Sequence, residues 1–280
     1  MFKWMNLFRG FLMGICEIIP GVSSGTMALL LGIYEQFLGA IGHIVSKHYK
    51  KSIIYLLPLI IGMGTAILTM SSLMDYLLTQ HTIPTHWFFI GMVLGVIPMM
   101  FSISNYKVEF KSIHYILMGL TIILLYWLST AGENGTSIES IDISLLMLIG
   151  LFFSGMLASA VMLLPGISGS LVLLIIGAYP IIMRAISEFS SLNFEVLPVL
   201  IATGLGIVSG LLLAGRGIQF LLRNYTYIMY AIIIGLLFGS VFPIYPGLPD
   251  TASIWAASIV SLSAGLAISN YMGSKNKPSI

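Results

Sequence analysis

Charge is what this sequence has least of. Only 8% of its 280 residues are Asp, Glu, Lys or Arg, against about 25% in an average soluble domain. So few charges cannot cover a surface that faces water, which excludes a soluble globular fold. Cysteine is almost missing: Cys16 stands alone, so no intrachain disulfide framework exists. The formal net charge is +2, and no basic run exceeds Lys50-Lys51. A nucleic-acid partner is therefore not expected. Walker, HExxH and nucleophile-elbow motifs are absent, so ATP-driven primary transport is not encoded. His43, His48, His81, His86 and His114 form no ligand-like group, so neither a metal nor another cofactor is expected. Neither end carries a lipidation signal. Lys3 and Arg9 precede an apolar stretch that imitates a signal peptide, but Glu17 interrupts it and no small-x-small cleavage site follows directly. It reads as a retained first membrane segment.

Apolar residues fill the space that charge leaves. They make up 58% of the chain, and the mean hydropathy is +1.03. The fold class is an all-α polytopic integral membrane protein. A helix needs about 20 apolar residues to cross a bilayer. Residues 52–73, 86–104, 112–129, 195–214, 225–243 and 253–270 meet that length as single crossings. Residues 7–38 and 143–186 differ, because each is an apolar pair interrupted in the middle. The first break is Pro20-Gly21-Val22-Ser23-Ser24-Gly25-Thr26, and the second is Pro165-Gly166-Ile167-Ser168-Gly169-Ser170.

The breaks are copies of one another. At an offset of 145, Gly10 matches Gly155, Pro20 matches Pro165, Gly21 matches Gly166 and Ser23 matches Ser168. The match continues to Gly32 with Gly177 and Tyr34 with Tyr179, and Gly91-x-x-x-Gly95 echoes Gly235-x-x-x-Gly239. The chain thus divides into two related halves, 1–136 and 137–280, in one membrane domain. Each half is expected to hold a broken or re-entrant helical hairpin plus three transmembrane helices. Three crossings turn the second half upside down, giving inverted-topology repeats. With both termini on the cytoplasmic side, eleven of the twelve basic residues fall inside: Lys3, Arg9, Lys47, Lys50, Lys51, Lys107, Lys111, Arg216, Arg223, Lys275 and Lys277. That satisfies the positive-inside rule. A single crossing at each break would put Lys47, Lys50 and Lys51 outside. The short first arm, 7–19, favours re-entry, whereas the second region's first arm, 143–164, is long enough to span.

Inverted repeats with broken helices are a transporter architecture that binds substrate at the repeat interface. Irregular backbone at membrane depth persists only where protein or a wet cavity surrounds it. The two breaks are therefore expected to converge. Proline ends each first arm and glycine permits the reversal. The second arm is expected to begin near Ser24 or Gly25, its first N–H groups unpaired. With the hydroxyls of Ser23, Ser24, Thr26, Ser168 and Ser170, and with Gly169, these donors favour an anion such as phosphate. The plainer alternative is a tight turn whose serines cap the next helix. Glu17 lies deep in the first hairpin, where its counterpart is Met162. An ionisable residue inside the membrane is functional by default. Desolvation penalises a charged carboxylate, so Glu17 is a candidate proton carrier or gate. Arg184, the one basic residue left outside, is a candidate phosphate ligand; it also sits four residues before Glu188 and can pair with it. Arg9 and Arg216 are inner-side candidates that the positive-inside rule already explains. Tyr34, Glu35 and Tyr179 beside the second arms complete the candidate list. The Gly-x-x-x-Gly pairs read as close helix packing, and the 17 methionines as flexible packing.

Glu17-Ile-Ile-Pro20-Gly-Val-Ser-Ser-Gly-Thr26, followed by Gly32-Ile-Tyr34-Glu35, resembles the opening of the PopT family. Pro165-Gly-Ile-Ser-Gly169 with Gly177-Ala-Tyr179 resembles that family's second repeat. These bacterial membrane proteins, long a family of unknown function, are regarded as undecaprenyl-phosphate translocases. The resemblance implies a bacterial cytoplasmic-membrane protein that returns undecaprenyl phosphate from the outer to the inner leaflet for cell-wall synthesis. Its partners would be that lipid, the surrounding membrane lipids, and protons or cations for coupling. A second resemblance is to integral-membrane undecaprenyl-pyrophosphate phosphatases, through Glu17-x-x-Pro20 with Ser23-Ser24 and Pro165-Gly166-x-Ser168. Those enzymes also use an upstream Glu, a His and a second-motif Arg. Here those places hold Met13, no histidine after Ser24, and Gly169, so headgroup recognition without hydrolysis is expected. A phosphatase, a secondary transporter of small soluble anions and a non-transporting scaffold are the rival readings.

Overall fold

Without water in the bilayer core, a spanning chain must satisfy its backbone internally. The computed structural model describes residues 4–18, 23–47, 49–131, 144–190 and 192–275. These are helical, with no strand among them. Pro20 and Gly21 of the first break, and the polar linker from residue 132 to 143, lie outside the described residues.

The helices come in one order twice. The first series is α1 (Trp4–Ile18), α2 (Ser24–Leu30), α3 (Tyr34–Gly42), α4 (Tyr49–Gln80), α5 (Thr82–Ile103), α6 (Tyr106–Glu109) and α7 (Ser112–Ala131). The second is α8 (Leu145–Met162), α9 (Gly169–Ile176), α10 (Tyr179–Ser190), α11 (Leu197–Asn224), α12 (Thr226–Gly239), α13 (Val241–Ile244) and α14 (Ala252–Lys275). A single 3-10 turn, Phe194–Val196, leads into α11. Seven of the described helices are long and apolar enough to span: α4, α5, α7, α8, α11 with its 3-10 turn, α12 extended through α13, and α14. Six of them coincide with the segments expected as single crossings. The seventh is α8, the first arm of the second break.

The return arms are short. The α2 helix has 7 residues and α9 has 8, so each rises only about 10–12 Å into a core about 30 Å thick. The α9 and α10 helices bend by 106° at their junction. The second broken region therefore comes back by a bent arm rather than by one straight crossing.

Packing follows the same order. The α1 helix lies on α4, with Gly10 against Leu59 and Gly14 against Met63; α8 lies on α11, with Gly155 against Thr203. A Cβ at Gly62 would strike the Leu7 carbonyl, and one at Gly206 would strike the Phe152 carbonyl. The Gly-x-x-x-Gly pairs form two further seams. Gly91 meets Leu262 and Gly95 meets Ser269 on α14, while Gly235 meets Met118 and Gly239 meets Leu125 on α7. Residue numbers rise together across both seams, so α5 runs alongside α14, and α12 alongside α7, in the same direction. Small residues let helix backbones approach in this way. The α2 helix is wholly buried, and α5 and α12 are the most enclosed of the spanning helices. The α7 and α14 helices turn large apolar side chains such as Ile123, Trp127 and Val260 outward, as a lipid-facing surface requires.

Candidate functional site

Local hydrogen bonding explains where the second arms begin and end. Ser23 is extended, with φ −107° and ψ 134°, and its Oγ accepts the Gly25 N–H at 3.1 Å. That is ordinary N-capping, and α2 starts at Ser24. At the far end, Gly32 and Gly177 take φ of +64° and +79°. The Ile33 N–H donates to the Ala28 carbonyl at 3.0 Å and the Gly32 N–H to Leu29 at 2.9 Å; the Ala178 N–H donates to Leu173 at 2.9 Å and the Gly177 N–H to Leu174 at 3.0 Å. The same left-handed helix stop is therefore built twice.

The two breaks touch. The Ser23 hydroxyl donates to the Met162 carbonyl at 3.4 Å, and the Tyr34 hydroxyl donates to the Leu163 carbonyl at 2.9 Å. In the other direction, the Gly166 N–H donates to Thr26 Oγ1 at 3.1 Å. Met162 and Leu163 close α8, where carbonyls lack helical partners. Hydroxyls of the first break thus supply what the second break's backbone needs. Gly166 has φ +88°, and a Cβ there would sit 2.6 Å from the Leu236 carbonyl, so only glycine fits. Ser23, Ser24, Thr26, Tyr34 and Ser168 are all buried, as are Gly25, Pro165, Gly166 and Gly169.

The breaks differ in their spare donors. No side-chain cap closes α9. Its Ser168 hydroxyl instead lies 2.7 Å from that of Ser170, and Ser170 is exposed. The α9 terminus therefore keeps uncapped N–H groups and a pair of hydroxyls, the chemistry that suits a phosphate oxygen. In the first break, Ser23 both caps its own helix and donates to the Met162 carbonyl.

Glu17 faces the Ser24 hydroxyl and backbone N–H. Its Oε2 is enclosed with no hydrogen-bond partner among the described residues. The duplicated position repeats this placement in apolar form, because the Met162 Sδ lies beside Gly169. One geometry therefore carries a carboxylate on a serine in the first half and a thioether on a glycine in the second.

The arginines are not at the junction. Arg184, on α10, pairs with Glu188 through Nε–Oε1 at 2.8 Å, and Asn193 donates to the other Glu188 oxygen at 3.2 Å. The Arg9 guanidinium donates to Asn6 Oδ1 at 3.1 Å, and Asn6 in turn donates to the Tyr55 carbonyl at 3.3 Å. The Arg216 Nε donates to the Gly42 carbonyl at 2.6 Å, tying α11 to α3. Glu35 is exposed and Tyr179 half-buried. The sequence reading missed the Met162 and Leu163 carbonyls, because a backbone acceptor carries no residue signature. It also passed over Asn6, whose full burial beside Arg9 depends on α4.

These features define a class: a multi-pass, all-α membrane protein whose two broken helical regions are hydrogen-bonded to each other. A family model described as VCA0040-like, undecaprenyl phosphate translocase-like, matches residues 13–260. The chain belongs to that family. Among its relatives, a Staphylococcus aureus protein named polyprenyl-phosphate transporter is 43% identical over 97% of this chain and 96% of its own length. A Vibrio cholerae protein of the same name is 31% identical over 85% of this chain and 76% of its own. No solved structure matches the chain.

Proposed function

We propose that this protein is a polyprenyl-phosphate transporter that carries undecaprenyl phosphate from the outer to the inner leaflet of the bacterial cytoplasmic membrane. Returning the carrier in this way supplies cell-wall synthesis. The carrying observation is the junction itself: two anion-type turns, one from each half, share hydrogen bonds in a buried contact. The family description and the relatives' names support the substrate class.

The phosphate would first meet the uncapped start of α9, with Gly169, Ser168 and Ser170 as donors. Parting of the breaks frees Ser23, Thr26 and Tyr34, whose hydroxyls can turn from backbone to phosphate. Glu17, beside Ser24, carries the coupling proton or gates the turn. Arg184 attracts the anion on the outer side, with Glu188 competing for its guanidinium. The tail stays in apolar surroundings while the head passes.

The helix seams support inverted halves divided at 136/137. The α5 and α7 helices are successive crossings and run oppositely. Because α14 runs alongside α5, and α12 alongside α7, α12 and α14 oppose their counterparts α5 and α7. One half rocking on the other then gives alternating access, with both termini cytoplasmic by charge. Transport fits better than hydrolysis. Met13, where the related phosphatases use a Glu, is fully buried. Gly169, in place of their Arg, has no side chain and lies against Met162. Phosphoryl chemistry without such groups lacks its positioned charge.

The test is leaflet-specific accessibility of tagged undecaprenyl phosphate in liposomes holding only this protein, with and without a proton gradient. Protein-dependent movement that fails for Glu17→Gln is expected. Movement unaffected by that variant removes the role given to Glu17. No movement of the lipid, with uptake of small anions instead, overturns the function.

A further inference from the structure

An apolar cavity of about 570 Å³ lies between α1, α2, α4, α5 and α14. It touches the first break, because Cys16, next to Glu17, and Met27, next to Thr26, both line it. Along α14 its wall is the stripe Ala257, Ser261, Ile268 and Met272, one helix face at i, i+4, i+11 and i+15. At 1.5 Å per residue that stripe is about 22 Å long. Carbon atoms pack at about 4 Å, so a cavity of this length and volume holds a hydrocarbon chain. The α14 wall is not closed over: Ala257 and Ile268 line the cavity and remain exposed. Methionines 27, 74, 92 and 272 line the rest with Phe88 and Phe89, and methionine adapts to an irregular, methyl-branched guest.

We propose that this cavity seats the phosphate-proximal stretch of the substrate's single isoprenoid chain, entering sideways past α14, so that the head falls at the junction of the breaks. The proposal rests on the transport reading above and goes beyond it by assigning a tail site. Lipid tails are as apolar as the wall, so the bilayer gives no hydrophobic drive into the groove. Shape therefore selects the guest, and a single-chain phosphate is favoured over a two-chain one with the same head.

The experiment uses undecaprenyl phosphate carrying a photoactivatable diazirine on the isoprene unit next to the phosphate. The full-length protein is held in phosphatidylethanolamine–phosphatidylglycerol liposomes. Cross-links are expected on α5 around Phe88–Met92 and on α14 between Ser261 and Met272. Unlabelled undecaprenyl phosphate should compete them away, and dioleoyl phosphatidic acid should not. Ser261→Phe should lose the cross-links and slow translocation while keeping its melting temperature. Ala257→Phe at the exposed mouth gives a second variant less exposed to folding failure. Equal competition by phosphatidic acid overturns the tail site. So do cross-links elsewhere with translocation intact, and that outcome leaves the transport reading standing. Absence of both translocation and phosphate-dependent competition removes the transport reading and the tail site with it.

Discussion

At the scale of single residues, the junction is a set of hydroxyls serving backbone. Tyr34 is the clearest case, since its ring spans from the start of α3 to the last carbonyls of α8. Tyr34→Phe keeps the ring and deletes one buried bond, leaving the Leu163 carbonyl without that donor. The expected loss is about 1–3 kcal/mol, read as a lower melting temperature in detergent. No shift would mean that the carbonyl finds another partner. Ser23→Ala with Ser168→Ala removes a hydroxyl from each break. Undecaprenyl phosphate affinity should fall about tenfold or more, as lost charge-assisted bonds imply. An unchanged affinity in a binding titration counts against phosphate recognition at the breaks. Ser23, Ser168 and Glu17 were legible in the sequence because polar residues are scarce there. The partners of Ser23, Tyr34 and Thr26 were not, because those are the carbonyls of Met162 and Leu163 and the Gly166 N–H.

At the scale of elements, the breaks are stopped by left-handed glycines and the long helices are held by small-residue seams. Gly177→Ala places a side chain at φ +79°, which costs about 1–2 kcal/mol. Space is not the difficulty, since a Cβ there meets nothing within 4 Å. Gly206→Leu should be worse, because its Cβ would run into the Phe152 carbonyl and force α8 off α11. The two effects separate in a thermal-unfolding series: Gly177→Ala lowers stability modestly, while Gly206→Leu abolishes the folded, monodisperse protein. Equal effects would contradict the close packing of α8 on α11. The Gly-x-x-x-Gly pairs were readable as packing signals. Which helices they meet was not, because a glycine names no partner; Gly91 and Gly235 reach α14 and α7 only through the folded arrangement.

At the scale of the whole molecule, transport by rocking halves requires the junction to open. In a Cys16→Ser background, Ser23→Cys with Met162→Cys places thiols on both breaks, at positions whose atoms already approach within 3.4 Å. A short thiol-specific cross-linker should stop translocation, and cleaving it should restore the rate. Unimpaired translocation by the cross-linked protein would falsify rocking at this contact.

The sequence by itself determined that this is a polytopic helical membrane protein with two broken regions, because charge scarcity, span length and a repeat at offset 145 act locally along the chain. It also marked the polar residues inside those regions, since each polar group at membrane depth must be compensated. Only the tertiary structure decided what compensates them. It spent the hydroxyls of Ser23 and Tyr34 on the last carbonyls of α8, set Thr26 against the Gly166 N–H and opened an apolar groove beside α14. Those outcomes depend on which helix faces lie against each other, and that follows from packing between residues more than a hundred positions apart.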